Sequence, residues 1–216
     1  MSRESLAARR ARADKIQAAL DALYPDARCT LDYRSAYELW VATVLSAQST
    51  DERVNQVTPA LFAAAPDAAA LARLPRARLE ALIRALGLYR SKAKNLAAAA
   101  RTIESRHGGK IPDSMAQLVS LPGIGRKSAN VILGNAYGVP GFPVDTHVGR
   151  LARRLGFSRE TDPAKVESDL SALFAPGRWT RLSHQLIRHG REICASRKPR
   201  CAACPLAELC PSAGKN

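Results

Sequence analysis

The chain has 216 residues, 46% hydrophobic and only 5% aromatic, and its 33 Lys and Arg against 19 Asp and Glu give a formal charge of +14. That length buries a sizeable core in one domain or two. The charge is the footprint of a polyanion-binding surface, most often for nucleic acid, and the few aromatics argue against a single-strand binder built on stacked rings. The opening stretch, SRESLAARRARADK, has no apolar run long enough for a signal peptide or a membrane span. An intracellular protein without membrane attachment is therefore expected. The arginines of that stretch read as the solvated face of a helix or as extra affinity for the polyanion.

Helical periodicity dominates from there on. Cys29 stands alone in an apolar-leaning stretch and reads as an ordinary buried thiol. Tyr37, Trp40, Val41, Val44 and Leu45 fall on one helical face. Asp51 is placed to cap the next helix, which has Val54, Val57 and Leu61 at apolar positions and Pro66 beyond its end. Segments 78–86 and 91–106 are rich in strong helix formers. A helix near 114–120 ends at LPGIG, and another starts near Arg126 with Ala129, Ile132, Leu133 and Ala136 on its apolar face. Asp145 opens a helix carrying Val148, Leu151, Ala152 and Leu155, with Gly156 as its stop. No stretch alternates as a strand would, so the predicted fold class is all-α. Residues 85–93 (ALGLYRSKA) echo residues 121–129 (LPGIGRKSA) in a helix–glycine turn–basic–helix rhythm, without a fixed repeat period.

Two segments carry chemistry. Cys194, Cys201, Cys204 and Cys210 are spaced C-x6-C-x2-C-x5-C, so four soft thiolates fall in one short loop. Such a loop can wrap a single inorganic centre, and spacing alone does not separate zinc from iron–sulfur. A pair of disulfides is the alternative, disfavoured in a reducing compartment. In LPGIGRKSANVIL, Pro122, Gly123 and Gly125 suit a tight helix–helix turn that leaves backbone amides uncovered at a helix start. With +14 behind it, that turn reads as a site for a nucleic-acid phosphate rather than as a plain connection. Lys127 lies in the first turn of the following helix, where the dipole field disfavours a cation and favours a neutral, nucleophilic amine. Asp145, in PVDTHVGR, suits an N-cap, and its second oxygen is available for proton transfer beside positive charge developing on a sugar.

LPGIGRKSANVIL, VDTHVGR and the four cysteines, together with LSAQSTD and ALGLYRSKA, resemble the endonuclease III family of DNA repair glycosylases over residues 30–210. The resemblance implies a helix–hairpin–helix DNA glycosylase fold of two helical lobes with a C-terminal iron–sulfur loop. One lobe, a central domain, would span residues 28–138; the other would combine 1–27 with 139–216, with catalysis at their junction. It implies a [4Fe–4S] cluster on Cys194, Cys201, Cys204 and Cys210. Lys127 matches the Schiff-base nucleophile and Asp145 the catalytic aspartate. Gln48 matches the residue that fills the gap left by an extruded nucleotide, and Leu88 resembles the opposing wedge. Gly123 and Gly125 match the phosphate-binding turn, and His147 lies where the family has a histidine beside the pocket. Arg197, Lys198 and Arg200, in the first inter-cysteine loop, read as a basic loop for the DNA backbone.

The implied activity is that of a bifunctional glycosylase and AP lyase of base excision repair, acting as a cytoplasmic, nucleoid-associated monomer on oxidised pyrimidines in damaged double-stranded DNA. Relatives acting on pyrimidine dimers or mismatched thymine share the lysine. An adenine-specific mismatch glycosylase lacks it and carries a further domain beyond the cluster. A non-catalytic helix–hairpin–helix module and an iron–sulfur electron carrier are the alternatives from other classes.

Overall fold

The computed structural model describes residues 4–215, and every helix or strand assigned among them is a helix. The all-α expectation holds. The chain opens with α1 (Leu6–Leu23), whose Ser5 hydroxyl accepts the Ala8 amide at 3.2 Å, a cap that contributes about 1 kcal/mol.

Cys29–Val139 is a compact unit holding α2 (Ala36–Leu45), α3 (Asp51–Ala64), α4 (Ala68–Arg73), α5 (Arg76–Leu82), α6 (Tyr89–His107), α7 (Met115–Val119) and α8 (Arg126–Ala136). In α2 every residue from Tyr37 to Leu45 is buried. A helix apolar all round has to be enclosed, and α3, α6 and α8 pack about it. On its far side α6 lies against α4 and α5, with the small Ala93, Ala97 and Ala100 on its buried face.

The second unit joins the described parts of Met1–Arg28 and Pro140–Asn216. It adds α9 (Thr146–Arg154), α10 (Pro163–Leu173) and α11 (Trp179–Glu192), with α1 and α9 packed against both α10 and α11. Its core includes Ile16, Leu20, Phe142, Phe157 and Phe174, and the Phe157 and Phe174 rings meet edge to face at 5.4 Å. Gly156 terminates α9 as expected. At φ +69° it lets the Phe157 amide reach back to Ala152 O at 2.8 Å while its own amide bonds Arg153 O, a Schellman ending.

Three sequence expectations shift. Thr50, not Asp51, caps α3 by accepting the Arg53 amide, while Asp51 becomes the first helical residue and accepts from Thr30 Oγ1. The helix expected over 78–86 stops at Leu82, because Ile83 and Leu86 turn inward to the core. The echoed segments are not superposable turns: left-handed backbone falls on Leu88 in one and on Gly123 in the other, which the alignment offsets by one position.

Ser2 and Arg3 of the arginine-rich opening lie outside the described residues. Arg12 is not a loose cation: its guanidinium donates to Leu155 O at 2.6 Å, Leu209 O at 3.3 Å and both Glu4 oxygens at 2.8 Å. Arg9 also pairs with Glu4, at 3.7 Å. No helix among the described residues is long and apolar enough to cross a membrane.

Candidate active site and cysteine loop

The hairpin between α7 and α8 is anchored by Leu121 and Ile124, both buried, with the Ile124 amide on Leu121 O at 3.1 Å. Gly123 between them has φ +85°, and a Cβ there would meet Asn95 Cβ of α6 at 3.0 Å. Both facts demand glycine. Gly125 is the N-cap residue of α8 and brings no side chain to cap it; a Cβ there would meet nothing within 4 Å. The two glycines thus present exposed backbone at a helix N-terminus, an arrangement suited to an anion.

Lys127, two residues beyond Gly125, is exposed. Cys29 is half-buried nearby: burial pushes its thiol up, and the Lys127 charge opposes that shift. The sequence reading of an ordinary buried thiol is met only in part, since Cys29 is half-buried.

Gln48 and Leu88 belong to the same unit as Lys127. Each is exposed and each holds a left-handed backbone, φ 54° and 56°. Gly87 lies against the Gln48 carbonyl, which a Cβ at Gly87 would meet at 3.7 Å. Leu88 is 57% exposed at the N-cap of α6, so it is not a core leucine.

In the other unit Asp145 caps α9, accepting the Val148 amide on Oδ1 at 2.9 Å. His147 follows, its Nδ1 3.1 Å from Arg150 Nη2. Its ring packs so tightly on Gly190 of α11 that a Cβ there would stand 3.0 Å from Nδ1. Burial lowers the His147 pKa, the Asp145 charge opposes this, and Arg150 and Arg191 reinforce it.

All five cysteines are free thiols, so the disulfide alternative is not realised. Cys194 follows α11, Cys201 opens a 3-10 turn, Cys204 ends it, and Cys210 follows a second such turn. Among the described residues no three His, Cys, Asp or Glu side chains are gathered as around a single ion. The four cysteines instead line one cavity of about 30 Å³, together with Leu151, Leu155 and His189. A water-sized occupant needs only about 10–15 Å³. Four thiol donors around such a space are a donor set that a four-cysteine metal centre would use. Burial pushes the Cys204 and Cys210 thiols up, and the neighbouring cysteines add to the shift. A bound cation would offset that cost by stabilising the thiolates.

The basic loop is arranged by these contacts. Arg197 and Lys198 are exposed, Lys198 at φ 49°, whereas Arg200 turns back to donate to Glu192 O at the end of α11.

Sequence reasoning missed Arg150 and Arg154. Arg150 donates to Gly190 O and Cys194 O at 2.9 and 3.0 Å. Arg154 donates to Ala195 O at 2.7 Å, Ser196 O at 2.9 Å and Cys194 Sγ at 3.3 Å. The signal was present, since His147, Arg150 and Arg154 recur at i, i+3 and i+7 on one face of α9. Buried Lys92 and half-buried Asn95 of α6 also went unread, because both sit in a stretch that reads as a solvated helix.

Residues 41–176 match the HhH-GPD superfamily of base excision DNA repair proteins. The chain is 50% identical to endonuclease III of Synechocystis sp. over 209 residues, 96% of this chain and 95% of that one. It is 42% identical to endonuclease III of Bacillus subtilis over 87% of this chain and 86% of that one. Among solved structures it superposes on a trapped endonuclease III–DNA covalent intermediate, an estranged-adenine complex, with a TM-score of 0.90 and 38% identity, covering 95% of this chain and 97% of that one. From the glycine hairpin to the cysteine loop, the chain belongs to the endonuclease III family of the HhH-GPD superfamily of base excision DNA repair proteins.

Proposed function

We propose that the chain is a DNA glycosylase and AP lyase of base excision repair that removes oxidised pyrimidines, such as thymine glycol, from damaged duplex DNA. The observation that carries this reading is Lys127, an exposed amine in the first turn of α8, just behind a hairpin with open backbone at Gly123 and Gly125. The likeness to a trapped covalent DNA intermediate supports the same chemistry.

A base inside a duplex is out of reach of an amine, so the nucleotide is extruded at a cost of a few kcal/mol. Leu88, an apolar side chain held out in solvent, acts as the wedge, and Gln48 fills the vacated space. The hairpin amides, Arg197 and Lys198 hold phosphates, while Arg200 braces the loop that carries them. His147 is assigned a place beside the pocket, as its counterpart has in the family.

Lys127 Nζ then attacks C1′ through its lone pair, and the base departs with the electrons of the C1′–N bond. Asp145 takes the proton shed by the lysine and offsets positive charge on the sugar. The C1′–O4′ bond then opens, O4′ keeping the electron pair and taking the proton held by Asp145, to leave a protonated imine between Nζ and C1′. That imine acidifies C2′, and loss of its proton expels the 3′ phosphate by β-elimination, breaking the strand 3′ to the lesion. Cys194, Cys201, Cys204 and Cys210 would hold a [4Fe–4S] cluster, which supplies an electrostatic and mechanical staple for the basic loop. A monomer working in the cytoplasm, at the nucleoid, suffices for this chemistry.

Borohydride trapping tests the reading on duplexes bearing one thymine glycol or one abasic site. Covalent adduct on both, lost in Lys127→Ala with DNA affinity kept, is the expected result. Adduct on the abasic duplex alone keeps the lyase and moves the lesion to another base. No adduct on either, with binding intact, leaves a DNA-binding module.

A further inference from the structure

Gln48 and Leu88 are two of only three non-glycine residues with left-handed backbone among the described residues. Such conformations are strained for residues with a Cβ and persist where the surroundings over-determine them. Here one residue supplies constraints to both loops. The Lys92 amide donates to Leu88 O at 3.0 Å, making the first backbone bond of α6. One turn of helix away from Leu88, the Lys92 ammonium reaches across to Ser49 Oγ at 2.8 Å, next in sequence to Gln48. Gly87 closes the gap from the other side, against the Gln48 carbonyl.

Lys92 itself is only 4% exposed, and its hydrogen-bond partner is a neutral hydroxyl rather than a carboxylate. Burial lowers its pKa accordingly. A lysine so placed is a poor choice for stability alone, since its charge is desolvated without a counter-ion. Its value lies in what it ties. A wedge and a plug must act on one nucleotide at once, and two independently mobile loops would each have to be ordered during extrusion.

We infer that Lys92 is a positioning residue that locks the Gln48 and Leu88 loops into one preformed extrusion device. Asn95, at the next turn on the same face of α6, packs against Gly123, so α6 also sets the device's register to the phosphate-binding hairpin. The inference rests on the proposed roles of Gln48 and Leu88.

The test compares the full-length wild type with Lys92→Met, which keeps length and volume but cannot donate, and with Ser49→Ala, which deletes the acceptor. Three readouts are taken at saturating protein: single-turnover excision of thymine glycol from a duplex, fluorescence of 2-aminopurine beside the lesion as a report of extrusion, and borohydride trapping on a single-stranded abasic oligonucleotide, which needs no duplex opening. The expected pattern is a loss of roughly 100-fold in duplex excision, the scale of a positional error of about 1 Å. The fluorescence rise is lost with it, while single-strand trapping and melting temperature stay near wild type. Ser49→Ala shows the same split to a smaller degree. Unchanged duplex excision in both variants overturns the inference. So does an equal loss on duplex and single strand, which marks a general structural role; Ser49→Ala settles this if Lys92→Met does not fold. A wild type that neither excises nor traps overturns the proposed function first, and this inference falls with it.

Discussion

Gly123 and Asn95 are so closely apposed that a Cβ on Gly123 would lie 3.0 Å from Asn95 Cβ and 3.2 Å from its amide nitrogen. The turn that offers backbone to an anion is thereby braced from behind by α6. Gly123→Ala adds both a left-handed strain of roughly 1–2 kcal/mol and a steric push on the hairpin. It is expected to lower the melting temperature and weaken binding to undamaged duplex, with a shallower dependence of affinity on salt. Gly125→Ala has open space and no positive φ, so it forfeits only the N-cap preference for glycine over alanine and is expected to lose less stability than Gly123→Ala. Equal melting temperatures for the two variants would refute the bracing.

Asp145 combines a cap with a proposed proton acceptor, and the two roles separate by substitution. Asn is as good a cap as Asp, so Asp145→Asn retains the bond to Val148 N and its stability. Excision is expected to fall by about 10²–10⁴-fold, the usual contribution of a positioned acid or base. Asp145→Ala adds a loss of about 1 kcal/mol in stability from the missing cap. Near-normal single-turnover excision by Asp145→Asn would leave Asp145 as a cap alone.

The parts legible in the sequence were those where local chemistry decides. Gly123 beside Pro122, the run of cysteines, and the apolar stripes of α8 and α9 are local patterns, and the fold keeps them. The parts that stayed hidden are tertiary. α11 was not read as a helix because Ser183, Gln185 and His189 are buried beside Leu182 and Leu186, which dilutes its apolar stripe. Lys92 looks like any lysine on a basic helix, and only packing reveals that it is enclosed. Leu88 resembled the wedge by its motif alone, and only its exposure in the fold sets it apart from a core leucine. Arg12 and Arg200 looked like cations for DNA, yet both spend hydrogen bonds on backbone carbonyls within their own unit.

His147 gives a pH prediction with a definite sign. Burial holds its pKa below 6.5 in the folded chain, and Arg150 and Arg191 act in the same direction, whereas Asp145 opposes them. The unfolded chain therefore binds the proton first. The stability linked to His147 is fully present above about pH 6.5 and is lost as pH falls through the lower folded value. Asp145→Asn removes the opposing charge, so the His147 titration should move further to acid. An NMR titration of the His147 ring protons in wild type and Asp145→Asn reads this directly, and a move toward higher pH would contradict the arrangement.

Arg12 distinguishes a structural tie from a DNA contact. Its guanidinium bridges Glu4, Leu155 O and Leu209 O and lies 5.3 Å from the Phe157 ring centroid. These bonds join the start of α1 to the end of α9 and to the residue preceding Cys210. Charge-assisted bonds of this kind contribute roughly 1.5–3 kcal/mol, and the unsatisfied carbonyls left behind would find water only in part. Arg12→Gln is therefore expected to lower the melting temperature by several degrees. A phosphate contact would instead show as a salt slope reduced by about one unit, with stability unchanged. Because four of its five N–H donors already go to acceptors within its own unit, the slope of DNA affinity against salt should match wild type. Duplex affinities measured over a series of salt concentrations, beside thermal melts of the same two proteins, decide between the outcomes: a changed slope at constant stability would turn Arg12 into a DNA ligand.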